Sequence, residues 1–378
     1  MTRILKIGMD VHSKSYSLCA MEVVNGSEDR VLKRAKVPPD YTNILQFIES
    51  VKNVEVGLFE KCDIECGYEA GCLGYSLYHK LTAAKVKCVI LAPTTMLTPQ
   101  RKRVKTDERD AQMIAEALIH RTYKKVHVPS KEDIEIKEYI RMKADFVIAL
   151  KKLKQQINSF CLRHGYMYEK SKWTLMHLKW LRDIELSYTL RETLNEYLAS
   201  YYETAAKIER FNQKIEEFAT DERYQKSVKR LCCLLGIKTN TALAIITEVG
   251  DARRFPNANA FASYLGLVPG ESSSGEHICR TGITKAGNND LRRLLVEAAQ
   301  GLCHGAPGYK SKTLKARQNG NPSEIIAYAD SANYRLRRKY YRQINKGKNR
   351  NVVITAIARE LACFIWGMLT ENIQLTAA

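Results

Sequence analysis

The sequence lacks the signals of a membrane or secreted protein. It has no uninterrupted apolar run approaching the roughly 18 to 20 residues of a membrane span, because Arg359 and Glu360 interrupt the late apolar stretch at 352–369. The first ten residues also hold too short an apolar region for a signal peptide. We therefore expect a cytoplasmic protein without a membrane partner.

The cysteine pattern gives little support for structural zinc. The 11 cysteines are an odd number, and several lie in apolar segments, as reduced core thiols do. Cys62, Cys66 and Cys72 are close in sequence, but they form no C-x-x-C pair and no histidine pair of zinc-finger spacing completes a site.

Acidic residues are fewer than basic residues in this chain. The chain of 378 residues has 60 Lys and Arg against 41 Asp and Glu, a formal net charge of +19. Such an excess favours a polyanionic partner, with nucleic acid ahead of an acidic membrane surface. Because a basic chain repels cations, any acids that are grouped together call for an explanation.

Residues 1–128 predict a mixed-sheet α/β domain. Apolar runs separated by an Asn25-Gly26 turn indicate antiparallel strands, and later segments alternate between helix and strand. The predicted strands cover residues 4–9, 15–24, 31–37, 54–59, 64–68 and 86–91, and the predicted helices follow Asp40, cover 74–84 and begin near Thr106.

The rest of the chain predicts helices. In 129–223, apolar residues three or four apart indicate two long amphipathic helices, a helical coiled-coil region that is either an intramolecular pair or a dimer seam. Residues 224–378 predict a mainly α C-terminal domain. Within it, the glycine-containing turn at 235–242 suggests a helix-hairpin-helix-like element whose N–H groups grip a DNA phosphate.

Three aspartates predict a metal site. Asp10 ends the first predicted strand, and Asp107 and Asp110 share one face of a late helix because they are three residues apart. An RNase H-like sheet groups such acids around two Mg²⁺ ions at one edge. Helix capping is the alternative for Asp107, since an acid in the first turn complements the helix dipole.

The second acid of this arrangement has several candidates. An RNase H-like sheet supplies it from the end of the fourth strand. We favour Glu69, which follows the strand-like segment 64–68 and precedes a glycine-containing turn, with Glu60 as the runner-up and Glu65 also possible by position.

A serine cluster precedes a basic, glycine-rich segment. Ser272, Ser273 and Ser274 stand before Gly275, a composition usual for a solvated loop. A serine hydroxyl held beside a phosphate can instead attack phosphorus and form a reversible protein–DNA ester. The basic residues that follow are candidates for binding phosphate: Arg280, Lys285, Arg292 and Arg293.

Residues 335–350 contain many cations and no acid. Two tyrosines, Tyr340 and Tyr341, are interleaved with them, so aromatic rings are available for base stacking. A solvated helix face is the alternative, but a single sign of charge favours a nucleic-acid-binding face. The candidate residues are Arg335, Arg337, Arg338, Lys339 and Arg342.

Several motifs together resemble the DEDD transposases of bacterial insertion-sequence family 110, to which Piv-type DNA invertases are related. The motifs occur in the family's order at both ends of the chain. They are residues 7–14 (IGMDVHSK), 68–71 (YEAG), 104–111 (VKTDERDA), 262–269 (ASYLGLVP), 274–275 (SG) and 282–288 (GITKAGN).

The resemblance implies a RuvC-like N-terminal domain, a coiled-coil middle and a C-terminal transposase domain with a nucleophilic serine. It implies that Asp10, Glu69, Asp107 and Asp110 hold Mg²⁺ and that Ser274, directly before glycine, attacks the phosphate, with Ser273 the other candidate. Members recombine donor and target DNA under the direction of a bridge RNA, and we expect a homo-oligomer.

Three other functions compete with an RNA-guided transposase. A Holliday-junction resolvase needs the four acids and Mg²⁺ but no serine nucleophile, and a site-specific DNA invertase shares the family's motifs. A structural nucleic-acid-binding protein needs only the basic surfaces, so it predicts binding that is indifferent to Mg²⁺ and to alanine at Asp10.

Overall fold

The chain forms two compact units, Met1–Val128 and Pro129–Ala378, in a computed structural model. The structure describes residues 2–23, 29–53, 61–93, 106–271 and 279–373. The predicted Asn25-Gly26 turn and the predicted strand at 54–59 lie outside these residues. The predicted division of the second unit near residue 224 stays a prediction.

The first unit is built on a five-stranded mixed sheet. Its strands are β1 (Thr2–Val11), β2 (Tyr16–Glu22), β3 (Arg30–Val37), β4 (Lys61–Glu69) and β5 (Lys87–Leu91), and its helices are α1 (Tyr41–Lys52), α2 (Ser76–Ala83) and α3 (Asp107–His120). The strand order is β3-β2-β1-β4-β5. The first three strands pair antiparallel, whereas β4 pairs parallel with β1 and with β5. This sheet confirms the predicted α/β domain and fits a RuvC-like N-terminal domain.

Helices α1 and α2 cover one face of this sheet. Asp40 caps α1, because its carboxylate accepts a hydrogen bond from the backbone N–H of Thr42 at 2.8 Å. The apolar side chains of α1 and α2 then pack against the inward-facing residues of β1 and β2. The shared core includes Leu5, Ile7, Met9, Leu18, Ile44, Ile48, Val51, Leu77 and Leu81.

Helix α3 covers the opposite face and lies directly on β1. A Cβ atom added at Gly8 would lie 2.0 Å from the carbonyl oxygen of Ala111 and 2.4 Å from the backbone nitrogen of Ala115. Backbone therefore packs on backbone at this crossing, which only glycine permits. Asp10 is two residues beyond Gly8 on the strand, and Asp107 is one helical turn before Ala111. The crossing thus brings the first turn of α3 beside the end of β1.

The second unit is mainly helical. Its helices are α4 (Lys131–Arg163), α5 (Leu175–Asp183), α6 (Tyr188–Phe218), α7 (Glu222–Leu231), α8 (Thr239–Val249), α9 (Ala258–Tyr264), α10 (Asn289–Gly301), α11 (Lys312–Gln318), α12 (Ser323–Asn345) and α13 (Arg350–Thr370), with a short 3₁₀ helix at Ala252–Arg254. The strands β6 (Pro269–Glu271) and β7 (Arg280–Ile283) form a small antiparallel pair. The helical remainder confirms the predicted class for this part of the chain.

The two long helices α4 and α6 pack against each other antiparallel. Tyr139 near the start of α4 contacts Phe218 at the end of α6, with ring centroids 5.2 Å apart, and Phe160 near the end of α4 contacts Tyr197. These contacts realise the intramolecular pair that the apolar spacing allowed. The coiled-coil assignment and a dimer seam stay predictions.

The glycine-containing turn lies between α7 and α8, at residues 232–238, so the predicted segment 235–242 includes the first turn of α8. The turn is fastened within the unit, because the backbone N–H of Leu235 donates to Asn333 Oδ1 at 2.8 Å and Arg317 donates to the carbonyl of Ile237. One N–H group of this turn is therefore engaged by α12. The helix-hairpin-helix assignment stays a prediction.

Helix α13 is long and apolar enough to cross a membrane by length and composition alone. Half of its most apolar window is buried inside the unit. It packs against α9, α10 and α12 and contributes Ile357, Leu361 and Ile365 to the core. These contacts account for its composition as that of a core helix.

We expect Gly8→Ala to destabilise the first unit by about 3 kcal/mol or more, because the new methyl group overlaps backbone atoms that cannot rotate away. Urea unfolding and hydrogen exchange of β1 would measure the effect. The matched control is Gly71→Ala, where the nearest atom is 3.9 Å from the added Cβ. Equal stability of the two variants would contradict the close crossing.

Candidate functional site

Three side chains with metal-ligating atoms converge at the carboxyl end of β1. One ligand atom each from Asp10, His12 and Asp107 lie within 4.8 Å of one another. Asp10 lies near the end of β1 and His12 directly follows the strand, with His12 Nε2 3.1 Å from Asp10 Oδ2. Asp107 is the first residue of α3 and reaches this point because of the Gly8 crossing.

The neighbouring acids act on the ionisation of Asp10. Burial raises the pKa of the Asp10 carboxyl, the hydrogen bond and charge of His12 oppose this, and the negative charges of Asp110 and Asp107 add to the increase. Asp110 therefore lies near enough to repel Asp10, although it is outside the 4.8 Å group. A bound cation would relieve this repulsion.

Glu69 lies on the same face of the sheet as Asp10. Strands β1 and β4 are parallel and in register up to the pair Met9 and Tyr68, whose side chains both pack in the core under α1 and α2. Because side chains alternate along a strand, the next residues, Asp10 and Glu69, face α3. Glu69 also lies outside the 4.8 Å group. Its rival Glu60 is not among the described residues.

A lysine neutralises part of this acidic group. Lys36 of β3 lies with its Nζ 3.0 Å from Asp107 Oδ2. The hydrogen bond and charge of Lys36 hold the pKa of Asp107 below its usual value. Both side chains are about half exposed, at 56% for Lys36 and 44% for Asp107. The lysine can therefore move aside for another cation at little cost.

The donor set suits a divalent cation. Carboxylate oxygens are the ligands that hard divalent ions prefer, and an imidazole nitrogen also ligates many of them. Asp10 and Asp107 belong to different elements, so a shared ion would tie α3 to β1. Among the described residues, the group at the end of β1 is a candidate for holding a metal ion.

Sequence reasoning missed two residues of this centre. His12 follows the last residue of β1, Val11, and the sequence assigns it no ligand role. Lys36 carried no comparable signal. Its position depends on the pairing of β3 with β2, which sets it opposite Ser17.

The motifs at 262–269 and 282–288 pack together around Gly287. This residue has φ +75°, and a Cβ there would lie 1.9 Å from the carbonyl oxygen of Tyr264. The N–H of Lys285 donates to the carbonyl of Gly266 at 3.2 Å, and that of Thr284 donates to Val268 at 3.0 Å. The motifs at 262–269 and 282–288 are thus packed backbone to backbone.

The predicted nucleophile lies outside the described residues. Ser274 and its rival Ser273 fall in the segment 272–278, between β6 and β7 in sequence. The side chain of Arg280 is likewise not described. Lys285 is exposed, with φ +55°, beside the packed motifs.

The two predicted arginines of α10 differ in their contacts. Arg292 donates to the carbonyl oxygens of Leu265 and Ala286, at 3.0 and 3.1 Å, so it fastens the two motifs together. Arg293 is exposed and pairs with Glu297 one turn later. Arg293 therefore presents its charge to solvent, whereas the guanidinium of Arg292 is engaged within the unit.

Helix α12 carries the predicted basic face. Arg338 and Arg342 are exposed on it, one turn apart. Arg335 and Lys339 both pair with Glu360 of α13, Arg335 at 2.5 Å. Burial alone would raise the pKa of Glu360, but these two cations together hold it below its usual value. The tertiary structure thus brings an acid to a stretch of sequence that has none.

Arg337 differs from the prediction for this face. It is buried, with 6% of its surface exposed, and its guanidinium donates to the backbone carbonyls of His304, Ala306 and Tyr309. The helical repeat turns Arg337 away from Arg338 and into the unit. Its charge is used to hold the segment between α10 and α11.

Comparison with known proteins places the chain in a family. A DEDD transposase model of the IS110 type matches residues 7–165, and a model described as Transposase IS116/IS110/IS902 family matches residues 228–312. The first of these covers the acidic centre, and the second covers the packed motifs around Gly287.

Full-length relatives agree with these matches. The chain is 35% identical over 311 residues to a protein of Sinorhizobium fredii named transposase y4qE, covering 82% of this chain and 76% of the relative. It is 29% identical over 352 residues to the transposase for insertion sequence element IS1533 of Leptospira borgpetersenii, covering 90% and 96%. It is 25% identical over 376 residues to the transposase for IS1111A of Coxiella burnetii, covering 97% and 90%. With both family models matched in order and relatives aligned along most of its length, the chain belongs to the IS110 family of DEDD transposases and is a DNA transposase.

Proposed function

We propose that the protein excises and integrates an insertion sequence by Mg²⁺-dependent, serine-mediated exchange of DNA strands, guided by a bridge RNA. The observation that carries the metal-dependent part is the convergence of Asp10, His12 and Asp107 at the end of β1. Family membership supports DNA as the substrate. The serine step rests on the sequence at 272–275 and on the family resemblance.

The acids of the first unit would hold the metal. Asp10 and Asp107 supply carboxylates from two elements, while Glu69 and Asp110 lie on the same side of the sheet, a set that suits two Mg²⁺ ions. When bound, Mg²⁺ would neutralise negative charge that develops on the scissile phosphate and its leaving oxygen. Repulsion among these carboxylates keeps the group ready for a cation.

Ser274 would be the nucleophile. Its Oγ attacks phosphorus, a phosphate–sugar oxygen bond breaks, and the serine proton ends on the released sugar oxygen, giving a serine–phosphate ester and a free DNA hydroxyl. Attack by the hydroxyl of another strand on this ester restores the serine and joins the strands. The number of phosphodiester bonds is unchanged, so the exchange needs no external energy source.

The basic surfaces would bind the nucleic acids. Exposed cations on α12, together with Lys285 and Arg293, offer charge to phosphate groups of DNA or of the bridge RNA. Arg292 and Arg337 act in this proposal as supports, because their guanidinium groups are bonded to carbonyl oxygens. We further propose that the protein acts as a homo-oligomer, since strand exchange joins several DNA ends.

Two alternatives differ from this proposal in their chemistry. A junction resolvase using the same acids would hydrolyse DNA and form no protein–DNA ester, whereas an invertase would exchange strands without excision. A structural nucleic-acid-binding protein does not agree with membership of a transposase family. Trapping a covalent adduct in denaturing gels separates the first alternative from the proposal.

We expect Asp10→Asn and Asp107→Asn each to reduce strand exchange by about two orders of magnitude, because each removes a charge that holds the cation at the reacting phosphate. Recombinant junctions counted in a plasmid assay would measure this. Binding of DNA and RNA should stay within about twofold of wild type, since these acids add nothing to the attraction for phosphate. Asp63→Asn, an exposed acid of β4, is the control. Full activity in both test variants would contradict the metal centre.

We expect Ser274→Ala to abolish both recombinant junctions and the covalent protein–DNA adduct, because alanine has no nucleophilic oxygen. Ser272→Ala is the matched control, and Ser273→Ala tests the neighbouring candidate. Junctions formed by Ser274→Ala would show that this serine is not the nucleophile. Loss in Ser273→Ala alone would transfer the role to Ser273.

We expect Arg338→Ala and Arg342→Ala each to lower the slope of log binding constant against log salt concentration by about 1, as the loss of one phosphate contact does. Fluorescence anisotropy with DNA and RNA oligonucleotides would measure the slope. Lys207→Ala on α6 is the control, because that lysine pairs with Glu203 at 2.5 Å. An unchanged slope in both arginine variants would remove α12 from the binding surface.

A further inference from the structure

His12 lies at the edge of the acidic centre, and its side chain is exposed to solvent. Its side chain is 59% exposed, while that of Asp10 is 16% exposed. Gly8 and Asp10 alternate along β1 on the face that α3 covers, and His12 follows the last residue of the strand. The backbone N–H of His12 donates to the carbonyl of Ser15 at 3.1 Å, which fixes the point where the strand turns. The backbone of His12 is thus held at the end of β1.

The position of the imidazole is that of a ligand beside the carboxylates. Its nitrogen, an Asp10 oxygen and an Asp107 oxygen lie within 4.8 Å of one another, a spacing that one ion can bridge. Nε2 is also the nitrogen that approaches Asp10. Nε2 can therefore do one of two things. It can donate a hydrogen bond to the carboxylate, or it can offer its lone pair to a cation between the two groups, with the ring proton then on Nδ1.

We propose that His12 is a direct ligand of the divalent cation held by Asp10 and Asp107, and that it raises the affinity of the centre for Mn²⁺ more than its affinity for Mg²⁺. The proposal rests on the metal centre proposed above and adds a ligand that discriminates between two divalent ions. Mg²⁺ is a hard ion that favours oxygen ligands and keeps its water, whereas Mn²⁺ stands higher in affinity for sites that contain nitrogen.

The local charges suit a neutral ligand beside the carboxylates. Asp110 and Asp107 repel the carboxylate of Asp10, and Lys36 already neutralises one oxygen of Asp107. A neutral imidazole adds a ligand without adding negative charge to this group. It therefore increases the number of ligands while the repulsion among the carboxylates stays the same.

The test uses the full-length protein with Mn²⁺ alone as the probe. Pulsed electron paramagnetic resonance detects the coupling of Mn²⁺ to a ligating ¹⁴N nucleus. We expect this coupling in wild type, its replacement by a ¹⁵N coupling when histidine is labelled with ¹⁵N, and its loss in His12→Gln. Calorimetry should show a fall of about tenfold or more in the affinity of His12→Gln for Mn²⁺ and a smaller fall for Mg²⁺.

His120→Gln is the matched control. His120 is in the same unit, its side chain is 60% exposed, and it too lies beside an aspartate, with Nε2 3.5 Å from Asp29. The ¹⁴N coupling and the Mn²⁺ affinity should both be retained in this variant. Circular dichroism of His12→Gln should match wild type, because the exposed ring contributes little to packing.

Two results would overturn the proposal, and they differ in what else they affect. If wild type shows no histidine nitrogen coupling while Asp10→Asn abolishes Mn²⁺ binding, His12 only hydrogen-bonds Asp10 and the metal centre stands. If Asp10→Asn and Asp107→Asn both leave Mn²⁺ binding unchanged, the proposed metal centre is wrong. The proposed function then loses the observation that supports its metal-dependent step.

Discussion

The contact of α3 with β1 at Gly8 is the constraint on which the acidic centre depends. A side chain at this position would separate the helix from the sheet, because the space is filled by backbone atoms of Ala111 and Ala115. With glycine there, the first turn of α3 comes to the end of β1, and Asp107 meets Asp10. A packing requirement in the middle of the strand thus sets a distance between two carboxylates at its end.

In both units, a group of like charges is partly neutralised by neighbouring residues. In the first, repulsion among Asp10, Asp107 and Asp110 is offset in part by Lys36 and His12, which leaves a group that gains from binding a cation. In the second, the cations of α12 are offset in part by Glu360, which leaves Arg338 and Arg342 facing solvent. Each unit therefore keeps a local excess of one sign where the opposite charge of a ligand would bind.

Much of the first unit could be predicted because its elements are encoded locally. The apolar runs at 4–9, 15–24 and 31–37 and the helix expected after Asp40 correspond to β1, β2, β3 and α1 of the structure, in that order. The basic stretch of α12 was less predictable, since charge in a sequence window says nothing of burial. Arg337 was expected on the surface and is buried, because carbonyl oxygens of the segment after α10 accept its hydrogen bonds.

The sequence by itself determined the class of each region and the family resemblance, and it named Asp10, Asp107 and Asp110 as candidates for one group. These depend on residue type and spacing along one strand or one helix, which the chain carries directly. The tertiary structure decided that His12 and Lys36 join those acids, that Glu360 joins the cations of α12, and that Arg292 and Arg337 are supports. Such contacts join residues far apart in the chain or on different elements, so they exist only once strands pair and helices pack.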